Sequence, residues 1–139
     1  MSPPRVIRAR GIVRGEAQGE ALISKEPISF LGDVDIGTGR VVGALPSVKG
    51  RSLAGKVLVF PSCMGSAGAW RFLYQLYQHG THPVALICRE LPDPSVVQGA
   101  ILAHIPVVCA PEEDVFATLD DGDQLMVDGA GRVEVCASD

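Results

Sequence analysis

Two serines four residues apart, Ser62 and Ser66, lie in a run of small residues, Pro61-Ser-Cys-Met-Gly-Ser-Ala-Gly68. A hydroxyl in such a loop can cap a helix, help backbone N–H groups hold an anion, or move a proton. Before the loop, Val57-Leu-Val-Phe60 is an apolar, β-branched run suited to a strand buried on both faces. After it, Ala69, Phe72, Leu73 and Leu76 recur at helical spacing, and Gly80 is placed to stop the helix. A strand, a small-residue loop and a helix in that order aim N–H groups at the positive helix end, where an anionic group is a natural guest. On this stretch alone, however, serines that merely cap the helix are the better-supported reading.

Other site chemistries find little support. A nucleophilic triad needs a histidine, but His79 and His82 flank the wrong end of the expected helix, and His104 reads as a helix C-terminal cation. Met64-Gly-Ser-Ala-Gly68 places its serine out of frame for the Gly-x-Ser-x-Gly elbow, and no Gly-Lys-Ser/Thr follows the strand. The four cysteines, at 63, 88, 109 and 136, form no C-x-x-C, so no zinc or cluster-binding spacing is visible. Cys88 and Cys109 end apolar runs and read as small core residues, whereas Cys63 lies in the loop itself. Asp33 and Asp35 are explained by turn formation, since a calcium loop needs a longer series of oxygen ligands. A serine at a helix N-terminus with so little around it to activate it makes sense if another chain supplies a metal or cluster and the rest of the pocket.

The elements that must position the loop follow from the rest of the chain. With 139 residues, 47% of them hydrophobic, the chain is expected to form one domain, 1–139, with a sizeable core. A mean hydropathy of +0.25 comes without any run approaching the ~20 apolar residues of a membrane span. The start, Met-Ser-Pro-Pro-Arg, has no apolar signal region, so a cytoplasmic protein with reduced thiols is expected. A formal charge of −4 with interspersed signs excludes a nucleic-acid surface. Segment 5–23 mixes β-formers with glycines and predicts short strands joined by tight turns; its four arginines, at 5, 8, 10 and 14, read as a solvated face. Segment 27–40, rich in Gly and Asp, reads as an ordered functional loop. Residues 84–88 and 105–109 predict two more buried strands, with a helix over about 96–104 between them, capped by Ser95 and packing through Val97, Ala100 and Ile101. Two βαβ units imply parallel pairing with right-handed crossovers. Segments 124–128 and 132–135 predict a terminal hairpin, and the acidic stretches 111–114 and 120–123 read as solvated turns.

Several blocks together resemble one known family. These are Gly15-Glu-Ala-Gln-Gly-Glu-Ala-Leu-Ile-Ser24, Ser29-Phe-Leu-Gly-Asp-Val-Asp with Thr38-Gly-Arg40, Gly55-Lys-Val-Leu-Val-Phe-Pro-Ser62, Met64-Gly-Ser66 and Gln98-Gly-Ala-Ile-Leu-Ala-His-Ile-Pro-Val108. In order and spacing they resemble the aconitase X swivel domain, the small subunit of aconitase X-type dehydratases, over roughly 8–135. The resemblance implies an α/β fold, a swivelling β/β/α domain with a central βαβαβ unit flanked by short β-strands. It also implies docking on a large catalytic subunit that carries an iron–sulfur cluster, with no metal bound by this chain alone. The family's activities are dehydrations, of mevalonate 5-phosphate in archaea and of cis-3-hydroxy-L-proline in bacteria.

By the same resemblance Ser66 is the catalytic proton acceptor, and Ser62, Gly65, Ala67 and Gly68 contact substrate. The family loop commonly reads Pro-Ser-Gly-Arg-Gly-Ser-Ser-Thr-Gly-Ser, so Cys63-Met64 replace Gly-Arg here and Ala69-Trp70 follow Gly68. A histidine often found before the Gly-Lys segment is replaced in the region of Leu45-Pro46. Loss of the basic loop residue weakens the case for a phosphate dianion, which gathers charged donors, and favours cis-3-hydroxy-L-proline over mevalonate 5-phosphate. The expected protein is a hydro-lyase subunit, inactive without its large subunit. The rival class is a non-catalytic anion-binding or regulatory module.

Overall fold

A computed structural model describes residues 5–30, 32–63 and 67–136. Three apolar runs form the centre: β4 (Val57–Phe60), β5 (Ala85–Cys88) and β6 (Val107–Cys109), in which every residue is buried. They pair in parallel, Val57 with Ala85 and Leu86 with Val107, and α1 (Ala69–Gln78) and α2 (Pro94–Leu102) make the crossovers. The expected βαβαβ unit is therefore present.

The flanking strands β1 (Arg5–Arg8), β2 (Arg10–Val13), β3 (Glu16–Ile23), β7 (Gln124–Asp128) and β8 (Arg132–Val135) complete an eight-stranded order β1-β8-β7-β3-β4-β5-β6-β2. The eight-residue β3 serves two partners: its first five residues run antiparallel to β7, and Ala21, Leu22 and Ile23 run parallel to β4. Likewise β1 pairs with β8 while β2, one residue further on, pairs with β6. These two N-terminal segments carry the chain from an antiparallel layer into a parallel one. The turn between β7 and β8 closes against them, with Gly129 N–H donating to Gly15 C=O (2.8 Å) and Ala9 N–H to Gly131 C=O (2.8 Å). A Cβ on Gly129 would run into the Val13 carbonyl, so glycine is required there.

The pleat sends alternate residues of the parallel sheet into two cores. Val57, Val59, Ile87 and Val108 pack with Ile7, Leu125, Val127 and Val133 of the antiparallel layer. Leu58, Phe60, Leu86 and Val107 pack with Leu73 and Leu76 of α1 and Val96 and Ala100 of α2. The result is β/β/α layering. Each fully buried Leu or Phe contributes about 1.5–3 kcal/mol. The exposed ion pairs, such as Arg51–Asp121 at 3.2 Å, contribute roughly 0–1 kcal/mol each, so burial holds the layers together. The arginines at 5, 8, 10 and 14 are all exposed.

Three local expectations are corrected. Helix α2 starts at Pro94, not near 96, and its cap is Asp93, whose carboxylate accepts the Ser95 N–H at 2.9 Å. Proline is at home in the first helical position, because its missing N–H would have no partner there. The buried face of α2 is Val96, Gly99 and Ala100, while Ile101 is 57% exposed. Gly99 faces the Trp70 backbone of α1, a contact that carries no hydrophobic signal in sequence. Segment 27–40 is bound into the body by Ile28, Phe30 and Val34, which enter the helix-side core. A short helix, α3 (Val115–Thr118), capped by Asp114, stands beside one acidic stretch. Helix α1 ends as expected, with Gly80 at φ 70° and Thr81 N–H donating to Leu76 C=O at 2.9 Å.

The Gly99 contact generates a stability prediction. A Cβ there would lie 2.8 Å from Trp70 Cα and 3.0 Å from Leu73 Cβ. Alanine gains about 1 kcal/mol of helix propensity over glycine, whereas forced overpacking costs about 1–3 kcal/mol. Gly99→Ala is therefore expected to lower stability by about 1 kcal/mol in chemical denaturation.

Candidate active site

The loop 61–68 leaves the carboxyl end of β4, the edge of a parallel sheet where α/β proteins place their ligands. Three segments hold it. From the β3 side, Ile28 forms a parallel bridge to Cys63 and donates its N–H to Ser62 C=O at 3.1 Å. From the end of β5, Arg89 N–H donates to Phe60 C=O (3.0 Å) and Glu90 N–H to Pro61 C=O (3.1 Å). From the start of α2, Asp93 N–H donates to Cys63 Sγ at 3.3 Å. Ser95 Oγ accepts the Trp70 N–H at 3.1 Å and donates to Ala67 C=O at 3.2 Å.

These contacts correct the capping reading. The N-cap of α1 is Gly68, so neither loop serine occupies that position. A first-turn amide, that of Trp70, is satisfied instead by a serine 25 residues away. Of the expected site residues, Ser62 is half-buried at the start of the loop, Ala67 is exposed, and Gly68 is half-buried at the helix start. Ser66 and Gly65, with Met64, lie outside the described residues. Asp93 and Ser95 carry no signal in sequence that marks them as site residues. Asp93-Pro-Ser95 is legible as a helix start, but nothing local says that its hydroxyl reaches another helix.

The surroundings of the loop carry both thiol and cationic chemistry. The neighbouring Cys88 thiol holds Cys63 below the ordinary thiol range, at about 7; burial opposes the shift and the Asp93 amide supports it. The same contact, with burial, pushes Cys88 up. Beyond the carboxyl ends of β3 and β5, Lys25 and Arg89 are exposed, and the Arg89 guanidinium lies 5.5 Å from the centre of the Phe116 ring. The histidines gather at the opposite edge: Tyr77 packs edge-on against His82 (5.2 Å) and His104 (5.8 Å). That separation opposes a serine–histidine pair built within this chain. Asp33 and Asp35 are turn builders, accepting from Ser29 N–H (2.8 Å) and from Thr38 N–H (3.0 Å). Among the described residues no group of three His, Cys, Asp or Glu side chains could hold a metal, and no helix is long and apolar enough to cross a membrane.

The depressed Cys63 value has a directly readable consequence. The thiolate is the nucleophile, and at Cys63 it forms as pH rises through about 7. Iodoacetamide labelling followed by peptide mass spectrometry is expected to modify Cys63 with a pH midpoint near that value. Cys88, fully buried and shifted upward, should stay unlabelled until the chain unfolds.

The family model described as the aconitase X swivel domain matches residues 6–135. A phosphomevalonate dehydratase small subunit of Methanosarcina acetivorans is 46% identical over 133 residues, covering 95% of this chain and 92% of that protein. The protein of the same description in Methanothermobacter thermautotrophicus is 42% identical over 122 residues, covering 88% and 92%. Among solved structures, the crystal structure of Thermococcus kodakaraensis aconitase X in its holo form superposes with a TM-score of 0.88 at 39% identity, covering 96% of this chain and 99% of that one. The β/β/α layering, the loop at the carboxyl end of β4 and a family match spanning nearly the whole chain agree, and the chain belongs to the aconitase X swivel domain family.

Proposed function

We propose that this chain is the small subunit of a two-subunit hydro-lyase that dehydrates mevalonate 5-phosphate, with the loop 61–68 completing an active site on a larger catalytic subunit. The observation that carries the reading is the 46% identity, over nearly the full length of both chains, to a protein described as a phosphomevalonate dehydratase small subunit. This reverses the order of substrates expected from the loop, where Met64 in place of an arginine favoured cis-3-hydroxy-L-proline. Lys25 and Arg89, exposed just past the ends of β3 and β5, are the cations this reading assigns to the phosphate, since residues 61–68 carry none. A phosphate dianion is best held by such charge-assisted donors.

In this reading Ser66 removes the proton from the carbon next to the substrate carboxylate, and the substrate hydroxyl departs from the adjacent carbon. The Lewis acid for that hydroxyl would come from an iron–sulfur cluster held by the partner subunit. Ser62, Gly65, Ala67 and Gly68 line the substrate on this chain's side. A serine is a poor base at its ordinary pKa, so its alkoxide needs partner cations and the positive end of α1 to stabilise it. Ser66→Ala in the reconstituted complex is expected to lower kcat by about 100- to 10,000-fold, the range for loss of a positioned acid–base group; turnover close to wild type removes the base assignment. Arg89→Gln is expected to raise KM for mevalonate 5-phosphate by about tenfold through loss of a charge-assisted contact. The isolated chain is expected to be folded and inactive. Co-purification with an iron-bearing larger chain supports the dehydratase, and self-association alone supports a non-catalytic anion-binding module.

A further inference from the structure

We infer that Ser95 is a positioning residue for the active-site loop, gripping its distal end while Asp93 of the same helix start fixes its proximal end. The inference rests on the reading of Ser66 as the base and adds the device that sets its loop. In sequence, residues 64–66 lie between Cys63 and Ala67, and both flanking points are tied to the start of α2, through its cap Asp93 and through Ser95. On one side Asp93 N–H reaches Cys63 Sγ at 3.3 Å. On the other, Ser95 Oγ spends both of its hydrogen-bonding capacities on the loop's exit, accepting from Trp70 N–H at 3.1 Å and donating to Ala67 C=O at 3.2 Å.

The clamp is itself anchored. The Asp93 carboxylate takes the Ser95 N–H at 2.9 Å, which ties Ser95 to Asp93 at the start of α2. Pro94 fixes the backbone between them. Helix α2 is seated on α1 through Gly99, whose Cβ-less backbone lets the two helices approach closely. Ser95 is thus held on a rigid element, as a residue that sets a reacting loop must be. Its geometry is specific to a hydroxyl, because only a group that both donates and accepts can serve a carbonyl and an amide together. Alanine leaves the Trp70 amide and the Ala67 carbonyl to find other partners.

The test uses Ser95→Ala and Ser95→Thr chains assembled with the large subunit, read by hydrogen–deuterium exchange at Trp70 and by turnover of mevalonate 5-phosphate, with Ser66→Ala alongside. Ser95→Ala is expected to speed exchange at Trp70 and to lower kcat by about 10- to 100-fold with KM within about twofold, as for a misplaced catalytic group. Ser95→Thr, which keeps the hydroxyl, is expected to restore both. If circular dichroism shows Ser95→Ala unfolded, Ser95→Cys, whose thiol is a poor acceptor, is read in its place. Unchanged exchange, or faster exchange with unchanged kcat, overturns the positioning role. Full turnover in Ser66→Ala, or none in the wild-type complex, removes the reading of the reaction alone, and the clamp then stands or falls on the Trp70 exchange rate.

Discussion

Every residue of β4, β5 and β6 is buried, so this parallel sheet has no face it can leave to water. One side is covered by α1 and α2 together with the 27–53 excursion, which contributes Phe30, Val41, Leu45 and Leu53. The other side is covered by the antiparallel layer of β1, β8, β7 and the first half of β3. Covering both sides with one chain of this length forces the N-terminal strands to do double service. β3 changes partner midway, and the segment of β1 and β2 changes at Ala9. The β/β/α layering follows from the need to cover that sheet.

The same constraint decides where chemistry can be placed. A sheet buried on both faces offers ligands only its ends, and in a parallel sheet the carboxyl ends of neighbouring strands open together. The loop after β4 therefore meets the exits of β3 and β5 and the start of α2, and it accepts hydrogen bonds from all three. The histidines collect at the other end, around Tyr77, where they have no bearing on the loop. A loop so well supported, whose sequence offers one thiol and two hydroxyls, suits the half-site proposed above, finished by a second subunit.

Much of this was legible in the residues. The apolar runs at 57–60, 84–88 and 105–109, separated by helical spacing, specified the βαβαβ centre because a fully buried strand leaves an unbroken hydrophobic signature. Gly80 marked the end of α1 because a left-handed residue favours glycine. Asp33 and Asp35 read as turn formers and are turn formers. The blocks around Gly15, Pro61 and Gln98 indicated the family, and with it the role expected of Ser66.

The contacts between helices were not legible, and the reason is physical. Helical periodicity reports which side chains are apolar, so it placed Ile101 on the buried face of α2 and passed over Gly99, whose contribution is the side chain it lacks. Capping propensity reports which residues can close a helix end, so it nominated the serines nearest in sequence to α1. The hydroxyl that takes the Trp70 amide belongs to Ser95, on a different helix. The sequence by itself determined the strands, the crossovers and the loop, because each is written in local composition and spacing. Only the tertiary structure decided what holds that loop, because Asp93, Ser95, Cys63 and Trp70 become neighbours solely through the packing of α2 beside α1.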